Sequence, residues 1–170
     1  MTNKVRLVLG LLVFLVLWRL TVQIPNFSPV MAVALMSGVY LHHRYWAVAL
    51  PLIAMLLSDL FLGLHGSMLF VYTGMIMATL IGFWLKRHLR LTLVMFSSVI
   101  ASSVFFLMTN FGAWLSLVQL YPRSFTGLME AYLAGIPFFQ TSLTADVLFS
   151  VMIYGLASLM VSQKDTVLEH

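Results

Sequence analysis

Residues 24–63 read IPNFSPVMAVALMSGVYLHHRYWAVALPLIAMLLSDLFLG. Two apolar runs stand here, Pro29–His42 and Tyr45–Leu64, separated by the polar punctuation His42-His43-Arg44. Neither run alternates apolar with polar residues, so neither reads as a barrel strand. The second run is long enough for a helix across a bilayer, which takes ~20 residues. It carries one charge, Asp59, several residues inside its outer end. A charge within a span costs about 2.5–3.5 kcal/mol on insertion scales, so it marks a place where the helix faces other protein or a site.

The rest of the chain has the same character. Of 170 residues, 62% are hydrophobic and 8% charged. Soluble domains run at about 45–50% apolar and ~25% charged. So few charges cannot cover a soluble surface, and so much apolar area excludes disorder. The apolar runs give six spans: Arg6–Ile24, Pro29–His42, Tyr45–Leu64, Ser67–Leu85, Leu91–Asn110 with an extension to Leu117, and Pro137–Ser162. A short amphipathic helix, Ser124–Ala134, is expected before the sixth, with Gly135 and Pro137 breaking the chain between them. The expected fold is an all-α membrane protein with a single six-helix domain over 1–167. Residues 168–170 read as the start of a vector-encoded histidine tag. Span 1 lacks a small-x-small cleavage site and is read as retained rather than removed as a signal peptide.

Charge sets the orientation. The nine Lys and Arg divide into Lys4, Arg6, Arg44, Lys86, Arg87, Arg90 and Lys164 on one side of the spans, against Arg19 and Arg123 on the other. The positive-inside rule puts both termini in the cytoplasm. Charges this dispersed make no nucleic-acid footprint. There is no cysteine, hence neither disulfide nor thiolate ligand.

On that topology the polar residues gather toward the outer side. Asp59, Tyr72, Thr109, Asn110, Trp114, Gln140, Thr144 and Asp146 lie in outer parts of spans, and Arg19, Asn26, His65, Arg123, Glu130 and Tyr132 at span ends or in outer segments. The inner halves are mostly aliphatic, Met, Ser, Ala and Gly. The pattern predicts a polar pocket open to the outside and closed toward the cytoplasm, since a channel would need polar lining throughout. The alternative for Asp59 and Asp146 is pairing with Arg19 or Arg123 to hold the bundle together. Small residues recur at four-residue spacing: Ala34 and Gly38, then Gly74, Ala78 and Gly82. Such faces allow close helix approach, either within the bundle or against a partner subunit. His42-His43-Arg44 reads as a cytoplasmic rim. His65, in the tight outer loop, is a candidate ligand contact.

Enzyme signatures are missing. There is no H-E-x-x-H, no G-x-S-x-G, no paired acidic prenyl-transfer motif and no Walker A sequence. No catalytic residue, metal site or bound cofactor is expected.

The lead-in Ile24-Pro25-Asn26-Phe27-Ser28-Pro29, the small-residue span Ala32–Gly38 and the segment Ser58-Asp59-Leu-Phe-Leu-Gly63 resemble the substrate-binding S-components of energy-coupling-factor (ECF) vitamin transporters. Two later stretches, Phe105–Trp114 and Gly135–Asp146, are similar to a bacterial membrane family allied to that group. The resemblance implies a component of the bacterial inner membrane that binds a vitamin-like small molecule from outside, cobalamin among the candidates. It would work with a coupling subunit and ATPases or alone. The substrate-binding residues implied are Asn26, Asp59, His65, Tyr72, Asn110, Trp114, Gln140 and Asp146. Tyr72, Phe111, Trp114 and Tyr132 would suit a flat heterocycle. Ala34, Gly38, Gly74, Ala78 and Gly82 would form the docking face. The rival readings are a structural or assembly protein without a ligand, and an intramembrane enzyme using the aspartates or His65.

Overall fold

The computed structural model describes residues 3–22, 24–64, 66–117 and 119–160. All regular structure among them is helical: α1 Asn3–Thr21, α2 Val30–Tyr40, α3 Arg44–Leu62, α4 Met68–Leu85, α5 Leu91–Ser116 and α6 Phe125–Met160, with a single 3₁₀ turn, Lys86–His88, after α4. Four of these, in α3, α4 with its 3₁₀ turn, α5 and α6, are long and apolar enough to cross a membrane. α1 has comparable length but includes Lys4, Arg6 and Arg19. Large apolar side chains such as Val13, Leu17, Leu57, Leu60, Phe61, Leu80 and Phe96 cover the outside of the bundle. This fits a multi-pass membrane protein, whose outer face meets lipid rather than water.

α2 departs from the expected second span. It has 11 residues and spans only about 16 Å at 1.5 Å per residue, half of a ~30 Å hydrocarbon layer. Every residue of it is buried. It runs up the middle of the molecule, packed on α4 most closely and also on α1, α3, α5 and α6. The small-residue ladders make this possible. The Cα of Gly82 lies 3.1 Å from where a Cβ on Gly38 would stand, and that Cβ would overlap the Thr79 carbonyl. Ala34, Gly38, Gly74, Ala78 and Gly82 are all buried inside the bundle. These contacts lie within the bundle: Gly38 and Gly82 meet each other, and Gly74 meets Phe105 of α5.

A buried helix needs its neighbours' backbone satisfied. Pro51 inside α3 has no N–H to give the carbonyl of Ala47, one turn earlier. The Ser37 hydroxyl of α2 lies 2.7 Å from that carbonyl and 2.8 Å from Ala34's own, and donates there. Thr79 of α4 likewise reaches the Ala34 carbonyl at 3.1 Å. Side chains thus stand in for water at the centre of the bundle.

The sixth element also differs from expectation. The separate amphipathic helix and the break at Gly135 and Pro137 are absent, and α6 runs 36 residues without interruption. It packs against α5. Gly135 gives room for the Asn110 side chain, which a Cβ there would overlap, and a proline within a span is tolerated when neighbouring helices support it. α5 takes the longer of the two expected lengths, to Ser116. His65, Lys164 and the residues read as a tag lie outside the described residues.

Ser37→Ala should leave the Ala47 carbonyl buried without a donor and destabilise the protein by about 1–3 kcal/mol. Pro51→Ala restores the helical donor, so the double variant should recover most of that loss. Thermal unfolding of the four proteins in one detergent checks this cycle.

Candidate ligand cavity

The bundle has two differently built ends. At one, the 3₁₀ turn and the α2–α3 junction bring His42, Arg44, Lys86 and Arg87 around an open hollow. Arg44 stands 6.0 Å over the ring of Phe83. Lys86 donates to the Leu41 carbonyl at 3.4 Å. At the other end, α1 and α3 finish, α4 begins, and a cavity of about 280 Å³ opens. The two share no lining residue. Leu35, Met36, Met75, Ala78 and Thr79, all buried, fill the space between.

The cavity follows from the shortness of α2. The segment before α2 descends into the bundle without helical structure. Phe27 N–H donates to Ile24 O at 3.2 Å, with Pro25 and Asn26 between them. Asn26 has φ 59°, a left-handed value that Asn tolerates better than most residues. Proline then a positive-φ residue matches a type II turn. The Trp18 indole donates to the Phe27 carbonyl at 3.0 Å, and its ring meets Phe149 edge-on at 5.1 Å. Irregular backbone in a membrane protein is tolerated where it lines a cavity. Ile24, Asn26, Phe27 and Ser28 do line it, opposite Met55, Phe105, Ser142 and Asp146.

Two aspartates flank this region and have opposite fates. Asp59, 1% exposed, forms an ion pair with Arg19, Nη2 to Oδ1 at 2.6 Å. Its other oxygen accepts from the Tyr72 hydroxyl at 2.8 Å. Arg19 also contacts the Met55 sulfur. One carboxylate therefore ties the ends of α1 and α3 to the start of α4, with both oxygens engaged. Asp146, 3% exposed, sits in the cavity wall on α6. Its Oδ2 has no hydrogen-bond partner, nor do the hydroxyls of Ser102 and Ser28.

The other expected contacts are scattered. Asn26 lines the cavity. Tyr72 stands behind it, on Asp59. Asn110 donates to the Phe106 carbonyl at 2.9 Å and lines a neighbouring crevice of about 50 Å³. Trp114 donates to the Pro122 carbonyl at 2.9 Å and has Arg123 5.6 Å from its ring, away from the cavity. Gln140 is exposed, and its carbonyl accepts from Thr144. Phe111 packs on Phe70 and Trp114, and Tyr132 donates to the Leu107 carbonyl. Sequence reasoning missed Trp18, Phe27, Ser28, Met55, Phe105 and Ser142 as lining residues. Phe27 and Ser28 carried a signal, since an irregular proline-flanked lead-in to a short apolar run points to a site. Among the described residues no cluster suited to a metal ion exists.

Residues 1–168 match a family described as one of unknown function, DUF6580. The chain belongs to that family. No curated protein and no solved structure matches it.

Asp59→Ala should leave the half-buried Arg19 guanidinium without its partner and cost about 1–3 kcal/mol, less than a fully buried pair. Replacing both partners, Arg19→Met with Asp59→Leu, should cost far less, because no lone charge remains. Unfolding midpoints in detergent for the single and double variants test whether Asp59 serves the fold; equal losses in both would refute the ion-pair account.

Proposed function

We propose that the protein is a membrane-embedded binding component that takes a small organic molecule, a vitamin or related micronutrient, from the outer side of a bacterial inner membrane. One observation carries this reading: a cavity of about 280 Å³ whose wall holds the buried carboxyl of Asp146, its Oδ2 without a hydrogen-bond partner, beside non-helical backbone. Short helices and irregular segments that meet around a polar pocket are how membrane carriers build substrate sites. The volume lies just below the usual 300–1,000 Å³ of ligand pockets. That favours a compact ligand over one of cobalamin's size.

The chain would make six passages. The four long helices and α1 supply five, and α2 with its extended lead-in supplies the sixth. Arg44, Lys86, Arg87 and Arg90 then mark the cytoplasmic end, and the cavity opens outward. The filled centre of the bundle suits a binder that releases its ligand by a larger movement rather than through a pore. Coupling to ATPases, if present, would have to use a surface other than the buried small-residue ladders.

Native mass spectrometry of the detergent-purified chain, followed by denaturation and small-molecule identification, tests the reading together with a vitamin panel in thermal-shift assays. A stoichiometric bound molecule, or a panel member that raises the unfolding temperature, is expected. Ser142→Phe should fill the cavity and abolish that response while the protein stays folded. A clean apo protein that ignores the whole panel would instead favour a structural or assembly role.

A further inference from the structure

We propose that the cavity takes a small organic cation, a protonated amine attached to a compact ring, with Asp146 as its counter-ion. This rests on reading the cavity as a ligand site and adds the charge class of the ligand.

The argument is a balance of charges in the wall. Among the described residues two ionisable side chains line the cavity, Arg19 and Asp146. Arg19 is already neutralised by Asp59 at 2.6 Å. Asp146 is 3% exposed and its Oδ2 has no partner. Ser102, on the facing helix α5, is placed to hydrogen-bond the Asp146 carboxyl, and Oδ2 still lacks a partner at full hydrogen-bond geometry. A carboxylate so buried is costly unless a cation or hydrogen-bond donors meet it, and the open space before it is the cavity itself. The opposing positive influence is the N-terminal end of α2, where Val30 and Met31 line the wall. A helix end carries about half a unit charge, less than the full charge of a carboxylate.

The remaining lining agrees. Trp18, Phe27 and Phe105 contribute aromatic rings to the lining, a class of side chain whose π face attracts cations. Asn26 and the unpartnered Ser28 hydroxyl add hydrogen-bonding atoms. Ca²⁺ takes about six to eight oxygen ligands, and the described lining offers one carboxylate with Asn26, Ser28 and Ser142, with no group of metal-binding side chains among the described residues. An anion would have to approach Asp146 while Arg44, Lys86 and Arg87 stand at the far end of the bundle. One amine opposite one carboxylate satisfies both groups.

A matched probe series tests the charge class on the full chain in detergent: tryptamine, its alcohol tryptophol, and indole-3-acetate, by calorimetry and thermal shift. Tryptamine should bind best, with each of the other two weaker by about tenfold or more, the usual worth of a hydrogen-bonded charge. Asp146→Asn should erase the preference, and Asp146→Glu should keep it. Should Asp146→Asn fail to fold, the wild-type ranking and the Asp146→Glu variant still decide. If tryptophol or indole-3-acetate binds as well as tryptamine, the cation inference is overturned while the ligand cavity stands. If none of the three binds the folded wild-type chain, the inference also falls, and the vitamin panel judges the broader reading separately.

Discussion

A bilayer interior supplies no water to backbone N–H and C=O groups, so any stretch of chain there must satisfy them itself or be enclosed by protein. α2 is too short to cross, so it depends on enclosure, and every one of its residues is buried. The other helices wrap α2 completely. The Gly38–Gly82 contact brings α4 close enough to do so. Ser37 and Thr79 serve the carbonyls of Ala34 and Ala47. Trp18 serves Phe27, where the chain first turns inward. The cavity is what remains above the start of α2, where the lead-in cannot pack as tightly as a helix.

The same constraint separates the two buried aspartates. Asp59 sits near the end of α3, where α1 and α4 also reach the cavity end, so Arg19 and Tyr72 can both meet it. Asp146 sits well inside α6, facing Ser102 and open space. Removing a partner from the first should damage the fold. A reading that treats all buried charges as one class would assign both to the ligand.

Much of the helical framework was legible in the chain. The bounds expected for the third, fourth and fifth spans agree closely with α3, α4 and α5, because long apolar runs bounded by charged or glycine-containing turns leave little freedom. The sixth was harder. Gly135 and Pro137 look like a break in isolation, yet α5 supports the helix across them, and Gly135 serves to admit Asn110. The small-residue ladders signalled close helix approach correctly but not against what; only the path of α2 shows that they face inward. Of the polar residues singled out, Asn26 and Asp146 line the cavity, whereas Asn110, Trp114 and Gln140 satisfy local partners or face outward.

The amino-acid sequence by itself determined that this is an apolar helical chain suited to a membrane, with basic residues gathered at one end and polar ones toward the other. Those properties are sums over many residues and need no knowledge of contacts. Tertiary structure decided which carboxylate is paired, which helix is enclosed and where space is left. Each of these depends on residues distant in the chain meeting within a few ångströms: Arg19 with Asp59, Ser37 with Ala47, Trp18 with Phe27. The charge of a site is what remains after such pairings are made, and composition alone cannot show the remainder.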